Sequence, residues 1–158
     1  MKRLIKKAYD LAEEQEKFIQ ECEESCKFNE AQMYEIFEGF FVNRLTMEQV
    51  KIYADTKFDS KQMKEIREGF KNKLTIEQVK LYANPNFDDN QMYHIRVGFE
   101  NGLTIDQVKL YANPNFDDFQ MYHIRDSFED GLTIEEIKSK YRLASRKNKL
   151  NKIARRLN

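Results

Sequence analysis

The amino-acid sequence predicts an all-α protein: a short solenoid of four helix-hairpin repeats, with an N-terminal capping helix before them and a basic C-terminal helix after them. Three observations carry this reading. The stretch from Phe87 to Asn115 (FDDNQMYHIRVGFENGLTIDQVKLYANPN) recurs from Phe58 and from Phe116 at a shift of 29 residues, and an earlier copy opens at Phe28. A fixed period of this size marks a repeat array. Each copy also holds two helix starts of one design. Finally, each copy has too few apolar side chains to offset the entropy of ordering its own backbone, so neighbours must share a core. The expected divisions are a capping helix over 1–27, copies over 28–57, 58–86, 87–115 and 116–141, and a terminal helix over 142–158.

Residues 2–26 read as one helix. Ile5, Ala8, Leu11 or Ala12, Phe18 or Ile19, and Cys22 fall at helical spacing, and glutamates such as Glu13, Glu16 and Glu23 are left to water. The simplest role is to close the open end of the first copy; the alternative is a helix that pairs with a partner. Cys22 and Cys26 lie four apart, poorly suited to a disulfide framework, so a reduced cytoplasmic compartment fits best. His94 and His123 are the only histidines, which leaves no plausible zinc set, and no metal or cofactor is expected. The basic N-terminus lacks the apolar block of a signal peptide. No apolar run approaches the roughly 20 residues of a membrane span.

Each copy then opens its first helix with a capping pair: Asn29/Gln32, Asp59/Gln62, Asp88/Gln91 and Asp117/Gln120. The second helix opens with Thr46/Gln49, Thr75/Gln78, Thr104/Gln107 and Thr133/Glu136. In such a box the first side chain accepts from a free backbone N–H, and the Gln or Glu reaches back to the cap. Phe87 with Met92 and Leu103 with Val108 stand at hydrophobic-staple spacing, with counterparts in all four copies. Met92, Ile95 and Phe99 form the inward face of the first helix. Asn101-Gly102 ends it, as Asp130-Gly131 does in the last copy; Asn72-Lys73 and Asn43-Arg44 are weaker forms of the same stop. The second helix runs from Ile105 to about Ala112, with Val108, Tyr111 and Ala112 inward, until Asn113-Pro114 breaks it. Gly98 lies inside the first helix, with Gly39, Gly69 and Ser127 at the same place, which suggests a helix crossing too close for a Cβ. The first copy is one residue longer, the extra residue falling within FFVNRL.

The near-zero net charge hides an asymmetry. From Phe28 to Ile137 there are 12 Lys/Arg against 20 Asp/Glu, a net of −8, whereas Lys138 to Asn158 holds 9 Lys/Arg and no acid. In the terminal helix Leu150, Ile153, Ala154 and Leu157 share a face, and Arg146, Lys147, Lys149, Lys152, Arg155 and Arg156 occupy the rest. A basic amphipathic helix of this kind covers a last repeat, contacts nucleic acid or enters a partner groove.

No catalytic arrangement stands out. There is no Gly-rich phosphate loop, no GxSxG, no HExxH and no Cys/His pair, and the carboxylates fall at caps and on wet faces, so no enzyme activity is expected. The segment IRVGFENGLTIDQVKLYA resembles the first two helices of simple helix-turn-helix domains. The following helix, however, begins FDDNQ, FDSKQ or FDDFQ, and those carboxylates would repel DNA phosphates. The segments QMYEIFEGF, QMKEIREGF, QMYHIRVGF and QMYHIRDSF, with LTMEQV, LTIEQV, LTIDQV and LTIEEI, resemble the uncharacterised short helical repeats of Firmicutes proteins and their phages or mobile elements. That resemblance spans 28 to about 141. It implies a mobile-element protein that acts by binding, such as an inhibitor of a host defence nuclease.

The expected function is therefore a non-catalytic protein-interaction module with no membrane role. Recognition is expected from exposed positions on the first helices: Tyr34, Lys64, Tyr93 and Tyr122; Glu35, Glu65, His94 and His123; Phe37, Arg67, Arg96 and Arg125. Chief among them are Tyr93, His94, Arg96, Tyr122, His123, Arg125 and Arg67, because aromatic and Arg side chains give large contacts with directional hydrogen bonds. The alternative is nucleic-acid binding through the basic terminal helix.

Overall fold

A computed structural model describes residues 2–141, and their side chains from Leu11 onward. The expected terminal helix over 142–158 lies outside the described residues. Among the residues described, regular structure is helical and no strand occurs. In chain order the elements are α1 (Lys2–Glu24), α2 (Glu30–Phe37) running into a π-helix (Glu38–Val42), α3 (Met47–Tyr53), α4 (Ser60–Lys71), α5 (Ile76–Tyr82), α6 (Asp89–Glu100), α7 (Ile105–Val108) and α8 (Asp118–Glu129). A further helical stretch, α9, covers 134–141.

All eight capping boxes form, which explains why the helices begin where they do. The first-helix glutamines have a second task that the sequence did not announce. While Oε1 accepts from the backbone N–H of its own cap, Nε2 donates to the carbonyl of the phenylalanine that opens the next copy. Gln32 reaches Phe58 at 2.7 Å, Gln62 reaches Phe87 at 2.6 Å, and Gln91 reaches Phe116. Each of these glutamines is buried. The second-helix boxes are exposed and make no such reach, which is why Glu136 can stand in one of them.

α4 packs against α2 and α6, and α6 against α8, with α3, α5 and α7 filling the spaces between. Ile36, Met63, Ile66, Met92, Ile95 and Met121 are fully buried along this line and belong to one continuous core with Tyr53, Tyr82 and Tyr111. α1 joins that core through Ile19 and Cys22 and sets Phe18 edge-on to Phe40 at 6.1 Å. Leu11 and Ala12, expected to face inward, are exposed instead. α7 is shorter than its sequence suggests: after Val108 the chain tightens, Leu110 N–H bonding to Gln107 and Tyr111 N–H to Val108. The two weak helix stops work in the same backbone shape as the glycines, Arg44 at φ 55° and Lys73 at φ 67° against 88° and 89° for Gly102 and Gly131.

The helix glycines need correcting. The nearest approach is by side-chain atoms, and each glycine makes room for a tyrosine hydroxyl. A Cβ on Gly39, Gly69 or Gly98 would meet the hydroxyl of Tyr53, Tyr82 or Tyr111 at 1.8, 2.0 and 1.9 Å. Each hydroxyl donates to the carbonyl four residues before the glycine: Glu35 at 3.1 Å, Glu65 at 3.2 Å and His94 at 3.3 Å. Burial pushes all three phenols well above their ordinary range. The last copy solves the same problem differently. Lys140 replaces the tyrosine and Ser127 the glycine, and Ser127 Oγ itself donates to the matching carbonyl, His123, at 2.8 Å while accepting from Lys140.

The extra residue of the first copy is absorbed by the π-helix. Asn43 N–H bonds back five residues to Glu38, where Asn72 and Asn101 bond back four, to Glu68 and Val97.

Candidate functional site: the outer face of the first helices

The polar residues singled out from sequence divide into two layers. Beneath lies a ladder of arginines. Arg67 Nε donates to Glu35 at 2.7 Å, and its Nη1 reaches Asn43 and lies 3.1 Å from Glu68. Arg96 Nε donates to Glu65 at 2.9 Å and its Nη1 to Glu100 at 2.7 Å. Arg125 Nη1 donates to His94 Nδ1 at 3.2 Å. In each rung the arginine reaches a partner in the copy before it, Glu35, Glu65 or His94, while Glu68 and Glu100 belong to the arginine's own copy. The expectation that these arginines are exposed is therefore overturned: Arg67, Arg96 and Arg125 are only 5, 9 and 8% exposed, and Glu35 is buried with them. A buried guanidinium needs a partner for its charge, and Glu35 and Glu65 of the preceding copy supply it for Arg67 and Arg96.

The third rung differs chemically. His94 replaces a carboxylate, and Arg125 Nε, 3.1 Å from Glu129, is buried without a hydrogen bond. Burial first, and the Arg125 charge second, hold the His94 imidazole below its ordinary pKa, so it stays neutral and able to accept. At Glu65 burial raises the carboxyl pKa and outweighs the opposing pull of Arg96.

Above the ladder lies an aromatic layer. Tyr93 and Tyr122 are exposed, and the guanidiniums of Arg96 and Arg125 sit under their rings at 5.3 and 5.5 Å. His94 lies against both Tyr93 and Tyr122, and His123, which is exposed, between Phe119 and Tyr122. Phe119 is the most exposed large apolar residue of the group, at 66%. Tyr34, Phe37, Phe41 and Val42 extend the apolar exposure on α2 and the π-helix. Phe119, Phe41 and Val42 were missed from sequence. Phe119 was legible as an aromatic where the other copies carry Ala31, Lys61 and Asn90.

Of the remaining sequence-based candidates, Arg146, Lys147, Lys149, Lys152, Arg155 and Arg156 lie outside the described residues. Among the described residues no group of three or more His, Cys, Asp or Glu could hold a metal ion, and no helix is long and apolar enough to cross a membrane. One surface cleft is lined by Lys71, Asn72, Lys73 and Glu100 and another by Leu11, Gln15, Phe40, Arg44, Leu45 and Thr46; neither of these pairs a nucleophile with a base. Compared with known proteins, the chain matches no family model, no curated protein and no solved structure.

Proposed function

We propose that this chain is a non-catalytic protein-binding module: a four-copy helical solenoid whose first helices present an aromatic face to a protein partner. One observation carries the reading. Apart from Leu11, every exposed large apolar residue among those described (Tyr34, Phe37, Phe41, Val42, Tyr93, Phe119 and Tyr122) belongs to a first helix or the π-helix that extends it. Scattered exposed apolar residues are ordinary on a protein surface, but a concentration on one set of elements is the mark of a contact surface. The ladder beneath holds the rings in place, so a partner would meet a largely pre-formed surface and bind with a smaller loss of side-chain freedom. The recurring cap-to-copy glutamines and arginine rungs support the solenoid, because each ties a copy only to its neighbour.

The net −8 of the segment from Phe28 to Ile137 supports a narrower proposal for the partner: a nucleic-acid-processing or defence enzyme whose basic groove the acidic surface enters. Nucleic-acid binding is the competing reading, supported by the uniformly basic sequence from Lys138 to Asn158. Pull-down from native-host lysate, with and without nuclease, separates the two. The expected result is a captured protein that survives nuclease and is lost when Tyr93, Phe119 and Tyr122 are changed to Ser together. Capture that vanishes with nuclease, or that survives the triple change, would refute the proposal. Arg96 and Arg125 are unsuitable probes, since their loss leaves buried groups unpaired.

A further inference from the structure

The first copy breaks the pattern of the others, and it does so at one edge. Phe41 and Val42, brought out by the π-helix, are 51 and 62% exposed, and the Phe41 ring lies 5.6 Å from that of Phe37. At the place of Phe41 the other copies carry Lys71, Glu100 and Glu129; at the place of Phe37 they carry the three clamped arginines. The clamp accounts for the exchange. Each arginine reaches back to the first helix of the copy before it, and α2 has no such helix before it. α1 packs on α2 and sets Phe18 on Phe40, and it leaves Phe37, Phe41 and Val42 exposed. α2 therefore keeps apolar side chains in solvent at the place where α4, α6 and α8 turn an arginine toward another helix. Glu30 and Glu38 add negative charge to that helix.

We infer that this edge, Phe37, Phe41 and Val42 with Tyr34 beside them, accepts an amphipathic α-helix from a partner protein, its apolar stripe on the phenylalanines and its basic residues toward Glu30 and Glu38. The shape follows from continuity. At the α2–α4, α4–α6 and α6–α8 junctions the element that meets this edge is a helix. The chemistry follows from the exchange of residues. A helix of the α2 or α4 type would set a carboxylate, as at Glu35 or Glu65, against Phe37 and leave it unpaired, whereas an apolar stripe buries the rings without that penalty. This edge is the α2 end of the aromatic face proposed above and rests on that reading; Tyr93, Phe119 and Tyr122 lie on α6 and α8, so the edge can fail while their part of the face stands.

The test titrates the full chain into a fluorescein-labelled peptide of about 18 residues, five helical turns, with Leu and Lys at amphipathic spacing. A scrambled peptide of the same composition serves as control, and anisotropy is the readout. The amphipathic peptide is expected to bind at least ~10-fold tighter than the scramble, since only it offers a continuous apolar stripe. Phe41→Asp with Val42→Asp is expected to weaken it at least ~10-fold, although added acid attracts a lysine peptide. Tyr93→Ser with Tyr122→Ser should leave the affinity unchanged. Deleting Val42, which returns the copy to the common length, should weaken binding as well and stands in if the acidic variant fails to fold. No binding, equal affinity for the scramble, or full affinity in the variants would overturn the inference. So would concentration-dependent self-association abolished by the Phe41 change, which would assign the edge to a second copy of this chain.

Discussion

Gly69→Ala tests the packing logic most sharply, because intrinsic propensity and tertiary contact predict opposite signs. In an exposed helix interior, Ala in place of Gly stabilises by about 1 kcal/mol. Here the new Cβ would lie 2.0 Å from the Tyr82 hydroxyl, far inside contact distance, and Tyr82 is fully buried. The ring must shift by more than an ångström, and its hydroxyl must abandon the Glu65 carbonyl. Overpacking of this kind costs about 1–3 kcal/mol, and a buried hydroxyl left unpaired about 1–3 more. Set against the gain in propensity, the net expectation is a loss of about 2–3 kcal/mol in urea unfolding. Tyr82→Phe alone should cost about 1 kcal/mol for the lost hydrogen bond. In that background the closest remaining contacts of the new Cβ are Tyr82 Cζ and Leu74 Cδ1, both at 3.3 Å, which a small movement relieves. Gly69→Ala should then fall within about 1 kcal/mol of neutral, giving a coupling of about 2 kcal/mol between the two sites. An additive cycle, or a Gly69→Ala variant more stable than the parent, would refute the hydroxyl as the reason for the glycine.

Three further outcomes are expected. Gln91→Glu retains the oxygen that caps Asp88 but loses the amide that clasps the Phe116 carbonyl, so it should destabilise by about 1–3 kcal/mol in urea titration; Gln107→Glu, in an exposed box with no clasp, should be near neutral. The His94 pKa lies below its unfolded value, so the unfolded chain takes up a proton that the folded chain resists. The stability this supplies is present in full above about pH 6.5 and falls as the pH drops toward the folded pKa. His94→Glu should flatten that fall in thermal melts compared with the parent, because the imidazole that titrates there is gone; an unchanged pH slope would contradict the rung. Lys73→Gly should stabilise by about 1 kcal/mol, since Lys73 occupies a left-handed conformation that Gly102 holds without strain.

Much of the local structure was legible in the sequence because its determinants are local. A cap and its Gln lie three residues apart, a staple pair five, and each recurs in every copy. The Asn72-Lys73 and Asn43-Arg44 stops were readable for the same reason. What could not be read depends on contacts some 30 residues away. The Arg67, Arg96 and Arg125 positions look like a wet flank when only their own helix is considered, flanked as they are by Glu and His. Their burial comes from Glu35, Glu65 and His94 of the preceding copy, which no helical period reveals. The Gly/Tyr pairing was likewise invisible in one copy, though the joint change to Ser127 and Lys140 in the last was a signal that could have exposed it. At the candidate site the tyrosines and histidines are legible in the sequence, whereas Phe119, Phe41 and Val42 do not stand out. The first sits among polar counterparts, and the other two emerge only because an added residue is taken up as a π-helix.

A protein partner is expected to sit on the aromatic face of the first helices. Benzoylphenylalanine placed at Tyr93, irradiated in native-host lysate, measures this directly, with the same probe at exposed Lys80 on α5 as control. A protein adduct that forms from position 93, resists nuclease and does not form from position 80 is the predicted result. Equal adducts from both positions, or an adduct at 93 that nuclease removes, would contradict it.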